Sequence, residues 1–276
     1  MTAILCFLFA VGLWWLGTGV VLRLSTNLAP RSRGAAGAAL AAGLAGLAGV
    51  AWSASMASVG GALLAFACAL VIWGAVELGW LLGHAGGVHR APCPPECTQG
   101  RRFVLAAGAL LYHELTVLGA GAAIAVATAG ADNKVALWAY VTLALMRWSA
   151  KLNLFLGVPV FHREWLPEHL YHVATYVRRR AMNPLFPFSI TAATAAGVWM
   201  LVGMPGDPAG SFVLASHVLV ATLIVLGLLE HWCLVVPLGE ARLWKWALGT
   251  RDEAPRLAPW PQASRLSGAR HPLPPG

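Results

Sequence analysis

Long apolar runs separated by short polar loops dominate the pattern of this chain. A transmembrane helix needs about 20 mostly apolar residues at a rise of about 1.5 Å each. Seven runs qualify, so the pattern predicts an all-α fold, a polytopic membrane helix bundle with about seven transmembrane helices. The runs lie at about residues 2–22, 34–52, 59–82, 103–128, 135–156, 185–204 and 212–237.

The composition is that of a chain embedded in a bilayer. Of its 276 residues, 58% are hydrophobic and 11% are charged, whereas soluble domains carry about 25% charged residues. The net charge of +8 does not indicate nucleic-acid binding, because membrane proteins concentrate Lys and Arg in cytoplasmic loops. The N-terminus, MTAILCFLFAVGLWWLG, lacks a basic start and a small-residue cleavage motif, which predicts a retained first span.

Basic residues alternate between successive loops and predict the orientation of the chain. The loop after the first run is basic, the next carries no Lys or Arg, and this alternation continues to the tail. Because Lys and Arg favour the cytoplasmic side, we predict that the N-terminus lies outside and the C-terminus in the cytoplasm. The predicted cytoplasmic segments contain Arg23, Arg31, Arg33, Arg90, Arg101, Arg102, Arg163, Arg178–Arg180, Arg242, Lys245, Arg251, Arg256, Arg265 and Arg270, and the opposite loops contain Lys134.

Residues 1–249 are predicted to form a single transmembrane helical domain, followed by a disordered cytoplasmic tail at 250–276 that is rich in Pro, Arg and Ser. The Ala/Gly-rich second run is expected to pack inside the bundle, because small residues let helices approach closely. An interfacial cytoplasmic helix is predicted near 167–181, with arginines in its last turn. Residues 239–248, with two tryptophans, predict a second short interfacial helix.

The stretch from Arg147 to Arg180 contains six of the 19 Lys and Arg residues and three of the nine His. Ionisable groups in membrane proteins line cavities, pair with one another or face water. The predicted topology puts polar residues of several runs in the cytoplasmic half of the bilayer, and we predict a polar chamber capped by this stretch. The chamber candidates are Glu77, His113, Glu114, Arg147, Lys151, Asn153, Glu230 and His231; the cap candidates are Glu168, His169 and His172; a lipid-facing basic cluster comprises Arg178, Arg179 and Arg180.

Three interpretations of these residues are open. In the first, the charged groups pair and fix helix register. In the second, they hold a transition metal, since bundles build di-iron sites from Glu and His, although neighbours such as His113 and Glu114 point in different directions. In the third, a His binds the magnesium of a chlorophyll-type pigment. The metal candidates are Glu77, His113, Glu114, His169, His172, Glu230 and His231.

Known catalytic motifs do not help to choose between these interpretations. The sequence contains no nucleophile elbow, phosphate loop, dinucleotide fingerprint or HExxH motif. Cys93 and Cys97 form CPPEC in a predicted loop, a spacing that suits a metal or a redox pair, but no second Cys pair completes a zinc site. The alternative is a loop stiffened by proline. Catalytic residues are therefore not assigned.

Four motifs follow one another in the middle of the chain, namely K-x-N-x-F-L-G-V, L-P-x-H-L, a short basic run and M-N-x-L-F-P. In this order they resemble the photosynthetic complex assembly protein 2 family, a PuhE-like family of bacterial membrane proteins. The likeness covers most of the chain up to about residue 249. The matching positions are Lys151, Asn153, Phe155–Val158, Leu166, Pro167, His169, Leu170, Arg178–Arg180, Met182, Asn183 and Leu185–Pro187, with further likeness at Trp73–Glu77, Tyr112–Glu114, Glu230 and His231.

This resemblance implies a gene in a photosynthesis gene cluster of a purple bacterium, near the gene for the reaction-centre H subunit. It also implies a multi-pass protein of the bacterial inner membrane, cytoplasmic or intracytoplasmic. The family supplies no catalytic residues. At position 162 the chain has His in an FHREW context, where the family would lead us to expect acidic or Asn residues.

We therefore predict an integral membrane factor that assists assembly of the photosynthetic reaction centre and its light-harvesting core complex. One alternative is a membrane-embedded, metal-dependent, di-iron-like enzyme acting on a pigment or lipid precursor. Another is binding or delivery of a bacteriochlorophyll-type pigment. The predicted partners are membrane lipids and reaction-centre or core-antenna subunits, without nucleic acid. The cofactors considered are a transition metal and a bacteriochlorophyll-type pigment.

Overall fold

The computed structural model describes residues 1–203, 211–237 and 239–248, so the predicted tail at 250–276 lies outside the described residues. The described part is helical, and its seven long helices coincide with the seven predicted runs to within five residues at each end. The long helices are α1 (Thr2–Asn27), α2 (Arg33–Ser53), α3 (Val59–Leu81), α4 (Gln99–Ala127), α5 (Val135–Leu156), α7 (Leu185–Val202) and α8 (Phe212–Cys233); α6 (Tyr171–Ala174) and α9 (Lys245–Leu248) are single turns, and 3-10 turns lie at Arg163–Trp165, Glu168–Leu170 and Glu240–Trp244.

Hydroxyl side chains begin four of the long helices. The side-chain oxygens of Ser32, Ser58, Thr98 and Ser211 each accept a hydrogen bond from the backbone N–H three residues later, at 3.1–3.4 Å. The first N–H groups of a helix have no partner within the helix, and a Ser or Thr at this position satisfies one of them. These four residues therefore determine where α2, α3, α4 and α8 start.

Six described helices, namely α1, α2, α3, α4, α7 and α8, are long and apolar enough to cross a membrane. Helix α5 is not among these six, and it contains the charged residues Arg147 and Lys151. The protein is thus an all-helical, multi-pass membrane protein with six candidate spans, where the sequence pattern predicts about seven.

Helices α3 and α8 form the centre of the bundle. Helix α3 contacts α1, α2, α4, α5 and α8, and helix α8 contacts α1, α3, α5 and α7. Phe66, Tyr140 and Leu219 are among the large side chains buried in the core between them. The Tyr140 hydroxyl donates to the Val117 carbonyl at 3.0 Å, so this phenol is satisfied within apolar surroundings.

Helix α2 lies at the periphery, and the prediction that it packs inside the bundle is wrong. Its glycines let it approach one neighbour closely, since a Cβ at Gly46 would lie 2.9 Å from the Ile72 side chain, and a Cβ at Gly49 would meet the Cys68 sulfur. Most of the helix nevertheless faces outward, and Leu44 is 59% exposed. The small residues therefore allow α2 to pack closely against α3, but they do not place α2 inside the bundle.

The basic loops meet at one end of the bundle. The Arg31 backbone N–H donates to the Leu82 carbonyl at 2.8 Å, and Val160 donates to Leu234 at 3.2 Å. These bonds join the α1–α2 loop to the α3–α4 loop, and the segment after α5 to the end of α8. At the other end, Asn133 donates to carbonyls of the α2–α3 connection. We call the first end the basic end.

The predicted interfacial helix at 167–181 is interrupted. The segment forms a 3-10 turn followed by α6, which ends at Ala174. Beyond it the chain pairs with the segment after α5, because Val158 donates to the Arg178 carbonyl at 3.1 Å and Arg180 donates to the Val158 carbonyl at 3.3 Å. These backbone bonds replace helical ones, so the arginines lie on an extended strand-like stretch rather than in a last helical turn.

The segment at residues 239–248 also contains less α-helix than predicted, and it packs against α1. It consists of a 3-10 turn followed by α9. The Trp246 ring occupies the space beside Gly19, where any Cβ would collide with it. The Arg23 guanidinium donates to the Trp246 carbonyl at 3.2 Å. The absence of a side chain at Gly19 is what allows this contact.

Candidate functional site

An ion pair between α3 and α5 forms the middle of the polar cluster. Arg147 donates from Nε and Nη2 to the two carboxylate oxygens of Glu77, each at 3.2 Å. This bidentate geometry fixes the relative orientation of the two groups as well as their separation. The Arg147 guanidinium also lies over the Trp80 ring, 5.6 Å from its centroid. The pair neutralises one positive and one negative charge inside the bundle.

A second ion pair joins α4 to α5. The Lys151 ammonium donates to Glu114 Oε1 at 2.6 Å, and the Trp148 indole N–H donates to Glu114 Oε2 at 2.7 Å. Lys151 and Trp148 are three residues apart on α5 and therefore lie on one face of that helix. Both carboxylate oxygens of Glu114 are thus engaged by α5.

His113 lies beside Glu114 in sequence but faces another part of the cluster. Its side chain is fully buried, with Nε2 3.7 Å from Glu77 Oε1 and its ring 5.1 Å from the Trp80 ring. Within the described residues, neither ring nitrogen makes a hydrogen bond. Adjacent helical positions point in different directions, which explains why His113 and Glu114 contact different partners.

Glu230 and His231 on α8 likewise diverge. His231 is buried, with Nδ1 2.8 Å from the Gly227 carbonyl and Nε2 2.8 Å from the Ser149 hydroxyl. Glu230 is exposed and lies within electrostatic range of Arg147 and Glu77. In the described part of the chain it makes no hydrogen bond or ion pair. Glu230 is therefore the carboxylate of the cluster that has no hydrogen-bond or ion-pair partner among the described residues.

Asn153 marks the end of the cluster nearest the basic end. It is buried, and its amide donates to the Ser189 hydroxyl at 3.0 Å and to the Ser149 carbonyl at 2.9 Å. Asn183, which precedes the sixth apolar run, donates to the Gly157 carbonyl at 2.9 Å and accepts from the first N–H groups of α7. The Asn-Pro pair before a long apolar run was the signal available for such a cap.

The cap segment, residues 163–176, covers the ends of α3 and α4 rather than reaching into the cluster. His169 packs on Gly83, whose φ of +82° suits glycine, and a Cβ there would lie 3.0 Å from the imidazole. His172 Nδ1 lies 3.1 Å from the His169 carbonyl oxygen. Burial lowers the pKa of both His169 and His172. Glu168 is exposed.

The sequence pattern predicts only a loop charge at Arg102, but in the folded chain Arg102 is a site residue. Its side chain is buried, although it lies in the first turn of α4. It donates to the Tyr176 carbonyl at 2.9 Å and to the Phe155 carbonyl at 2.8 Å, and its guanidinium lies 4.0 Å above the Phe155 ring. Arg102 therefore ties α4 to the end of α5 and to the cap segment. Nothing in its local sequence pattern distinguishes it from Arg101.

The seven predicted metal ligands do not converge. In the described residues, no group of three or more His, Cys, Asp and Glu side chains is placed to hold a metal ion. His169 and His172 belong to the cap segment, and Glu114 and His231 are engaged by α5. The members of the basic cluster differ in exposure: Arg178 is half-buried, whereas Arg179 and Arg180 are exposed.

Comparison with known proteins places the chain in a family. A family model described as "Protein of unknown function (DUF3623)" matches residues 1–255. A protein of Rhodobacter capsulatus named "Uncharacterized 30.4 kDa protein in puhA 5'region" is 38% identical over 264 residues, which cover 94% of this chain and 96% of that protein. No solved structure matches the chain. Because the family match extends over nearly the whole chain, this protein belongs to the DUF3623 family.

Proposed function

We propose that this protein is an integral membrane factor that assists assembly of the photosynthetic reaction centre and its light-harvesting core complex. The observation that carries the proposal is the relation to the Rhodobacter capsulatus protein named for the puhA 5' region. That name agrees with the gene neighbourhood implied by the likeness to the photosynthetic complex assembly protein 2 family. The long apolar helices support a role within the membrane.

The proposal includes a seventh span, α5, with the N-terminus outside and the C-terminus in the cytoplasm. Helix α5 has 22 residues, about 33 Å at 1.5 Å per residue, which suffices to cross a bilayer. Its two charges, Arg147 and Lys151, are each paired with a glutamate of a neighbouring helix. Clustering of the basic loops at one end supports this orientation, because Lys and Arg favour the cytoplasmic side.

The pairing within the polar cluster favours a structural role over catalysis. Glu77 and Glu114 are each held by a cation of α5, and His231 by a hydroxyl and a carbonyl. Ion pairs of this kind specify helix register. We propose that the cluster fixes the bundle and that the basic end, with the cap segment and Arg178–Arg180, contacts anionic lipid and the subunits being assembled.

Deletion of the gene in its photosynthetic host tests the proposal. The expected result is a loss of reaction-centre and core-antenna absorbance in the membranes, with restoration by the wild-type gene. Free pigment should be measured in the same cells, because loss of pigment synthesis would lower the same absorbance. Normal reaction-centre and core-antenna levels in the deletion strain would refute the assembly role.

A Glu230→Gln variant separates assembly from catalysis by this cluster. Since Glu230 makes no hydrogen bond among the described residues, we expect the variant to restore complex levels to those of the wild type. A catalytic carboxylate would instead lose most of its activity when made an amide. Failure of Glu230→Gln, at normal protein levels, would therefore favour an enzyme.

A further inference from the structure

Two cysteines lie four residues apart in the loop between α3 and α4, at the basic end. Cys93 and Cys97 are free and half-buried. The Cys97 N–H donates to the Pro94 carbonyl at 3.2 Å, and the Cys93 thiol donates to the same carbonyl at 3.6 Å, so this turn folds the chain back and brings the two cysteines against one carbonyl group. Disulfides form where two cysteines are already close in space. The C-x-x-x-C spacing thus becomes a thiol pair in the folded protein.

The loop that carries this pair also holds the cap segment. The Cys93 N–H donates to the Thr175 hydroxyl at 2.8 Å, and the Tyr176 hydroxyl donates to the Ala91 carbonyl at 2.8 Å. Arg102, a few residues beyond the pair, donates to the Tyr176 carbonyl from the other side. A change in the stiffness of residues 93–97 therefore acts directly on the end of the cap segment.

The pair differs from the cysteines inside the bundle. Cys6 and Cys68 lie within α1 and α3 and pack in or against the apolar core, where a water-soluble oxidant has little access. Cys93 and Cys97 lie outside the helices that can span a membrane. Thiols of this second kind, paired and accessible, are the ones that cycle between oxidation states in reducing compartments.

We infer that Cys93 and Cys97 form a reversible dithiol–disulfide pair that exchanges with small disulfides and, when oxidised, tightens the hold of the loop on the cap segment. The Cys97 thiolate attacks one sulfur of the small disulfide, which gives a mixed disulfide and releases one small thiol. Cys93 then loses its proton to water and attacks the Cys97 sulfur. The Cys93–Cys97 bond forms, the second small thiol leaves, and the small disulfide has taken up the two electrons.

The order of attack follows from the surroundings of Cys93. Burial, and then the neighbouring Cys97 thiol, raise the pKa of the Cys93 thiol. The thiolate is the nucleophile in this exchange, so the raised pKa favours Cys93 as the thiol that closes the disulfide rather than the one that attacks first. This inference does not depend on the assembly role, because the chemistry can be measured on the isolated protein.

The first test uses the purified full-length protein in detergent. The protein is equilibrated with mixtures of reduced and oxidised glutathione, quenched with acid, alkylated with a maleimide and digested for mass spectrometry. We expect two of the five thiols to disappear at the oxidising end, with the digest showing a Cys93–Cys97 bond. Cys68→Ser should lose the same two thiols, whereas Cys93→Ser and Cys97→Ser should form no intramolecular bond.

Two results of this experiment would overturn the inference. In one, both loop cysteines remain fully alkylated at the most oxidising mixture. In the other, a glutathione adduct accumulates on Cys97 without closing to the intramolecular disulfide. Both results are read on the wild-type protein, so the test holds even if a serine variant does not fold.

The second test asks whether oxidation reaches the cap segment. Hydrogen–deuterium exchange is compared between the oxidised and the dithiothreitol-reduced wild-type protein. We expect several-fold slower exchange at residues 163–176 in the oxidised form, because closing the loop restricts local opening, and equal exchange in α8. Reduced wild type and Cys97→Ser should exchange alike. Equal exchange of the cap segment in both oxidation states would contradict the coupling.

Discussion

Arg147 and Glu77 show how single residues carry charge inside this apolar bundle. An ionised group at membrane depth costs several kcal/mol unless it is paired or hydrated. Here Arg147 donates two hydrogen bonds to Glu77, and its guanidinium lies over the face of the Trp80 ring. The side chain of Arg147 is 33% exposed and that of Glu77 is 12% exposed, so the ion pair is largely but not fully buried. Removing one member should therefore cost more than removing both.

The first prediction follows from this asymmetry. Arg147→Met leaves Glu77 without its partner, and we expect the free energy of unfolding to fall by about 2–3 kcal/mol. Removing one member of a fully buried ion pair costs more, about 3–5 kcal/mol. The double variant Glu77→Gln with Arg147→Met should recover most of the loss. Unfolding in detergent measures both. Lys134→Gln, at an exposed position, is the control and should stay within about 0.5 kcal/mol. A double variant no more stable than the single one would contradict the prediction.

Asn183 provides the second prediction, at the start of α7. Asn183→Ala removes two amide-to-carbonyl hydrogen bonds and the acceptor for the first N–H groups of the helix. Lost capping and unsatisfied buried carbonyls together should cost about 2–3 kcal/mol. Asn27→Ala, which removes an exposed bond to the Arg23 carbonyl, is the matched control. Similar losses in both variants would show that burial of Asn183 is not what matters.

At the scale of elements, the cap segment is the part of the fold that depends most on tertiary contacts. It has a 3-10 turn and one α-turn instead of a continuous helix. It is held by Arg102, by the loop that carries Cys93, and by contacts of His169 with the turn after α3. An isolated helix of this length is marginal in water, so its conformation follows the surfaces that it covers.

The two histidines of the cap segment should make its stability depend on pH. Burial lowers the pKa of each; Arg31 and His172 add to this at His169, and His89 and Arg90 add to it at His172. The folded state thus favours neutral imidazoles, and the unfolded chain binds more protons below its pKa of about 6.5. The stability that they contribute is fully present above about pH 6.5 and is lost as the pH falls towards the folded pKa values.

Thermal unfolding at two pH values checks this third prediction. We expect the wild type to unfold at a lower temperature at about pH 5 than at about pH 7.5. The variant His169→Gln with His172→Gln should show a smaller decrease, whereas His217→Gln, at the opposite end of the bundle, should keep the full decrease. Equal decreases in all three proteins would place the pH dependence elsewhere.

At the scale of the whole molecule, the arrangement of basic loops predicts the orientation in the membrane. The loops before α2, α4 and α7 and the segment after α8 contact one another at the basic end. Alkaline phosphatase fused after Lys134 should be active, and fusions after Arg101 or at Gly276 should be inactive, because this enzyme folds only outside the cytoplasm. Green fluorescent protein should give the reverse pattern. An active phosphatase fusion at Gly276 would refute the proposed orientation.

Several parts of the polar cluster could be anticipated from the sequence, and others could not. Glu77, Glu114, Arg147 and Lys151 were recognisable because ionisable residues are rare in apolar runs. That they pair was one of the interpretations open from the sequence, but which glutamate pairs with which cation was not readable, since it depends on which helices are neighbours and on their rotation. The sequence marks Asn183 as the start of the sixth run and Arg102 as a loop charge, but a basic or amide residue near a helix end is ordinarily a surface group, and only the folded chain shows that other segments bury both.

The sequence by itself determined the positions of the seven long helices, because apolar length and hydroxyl caps act locally. It also determined which loops are basic. The tertiary structure decided the peripheral place of α2, the breaking of the helix at 167–181, the burial of Arg102, and the contact of Cys93 with Thr175. Each of these depends on a partner distant in the chain, such as Val158 for Arg180 or Thr175 for Cys93. Local periodicity carries no information about such partners.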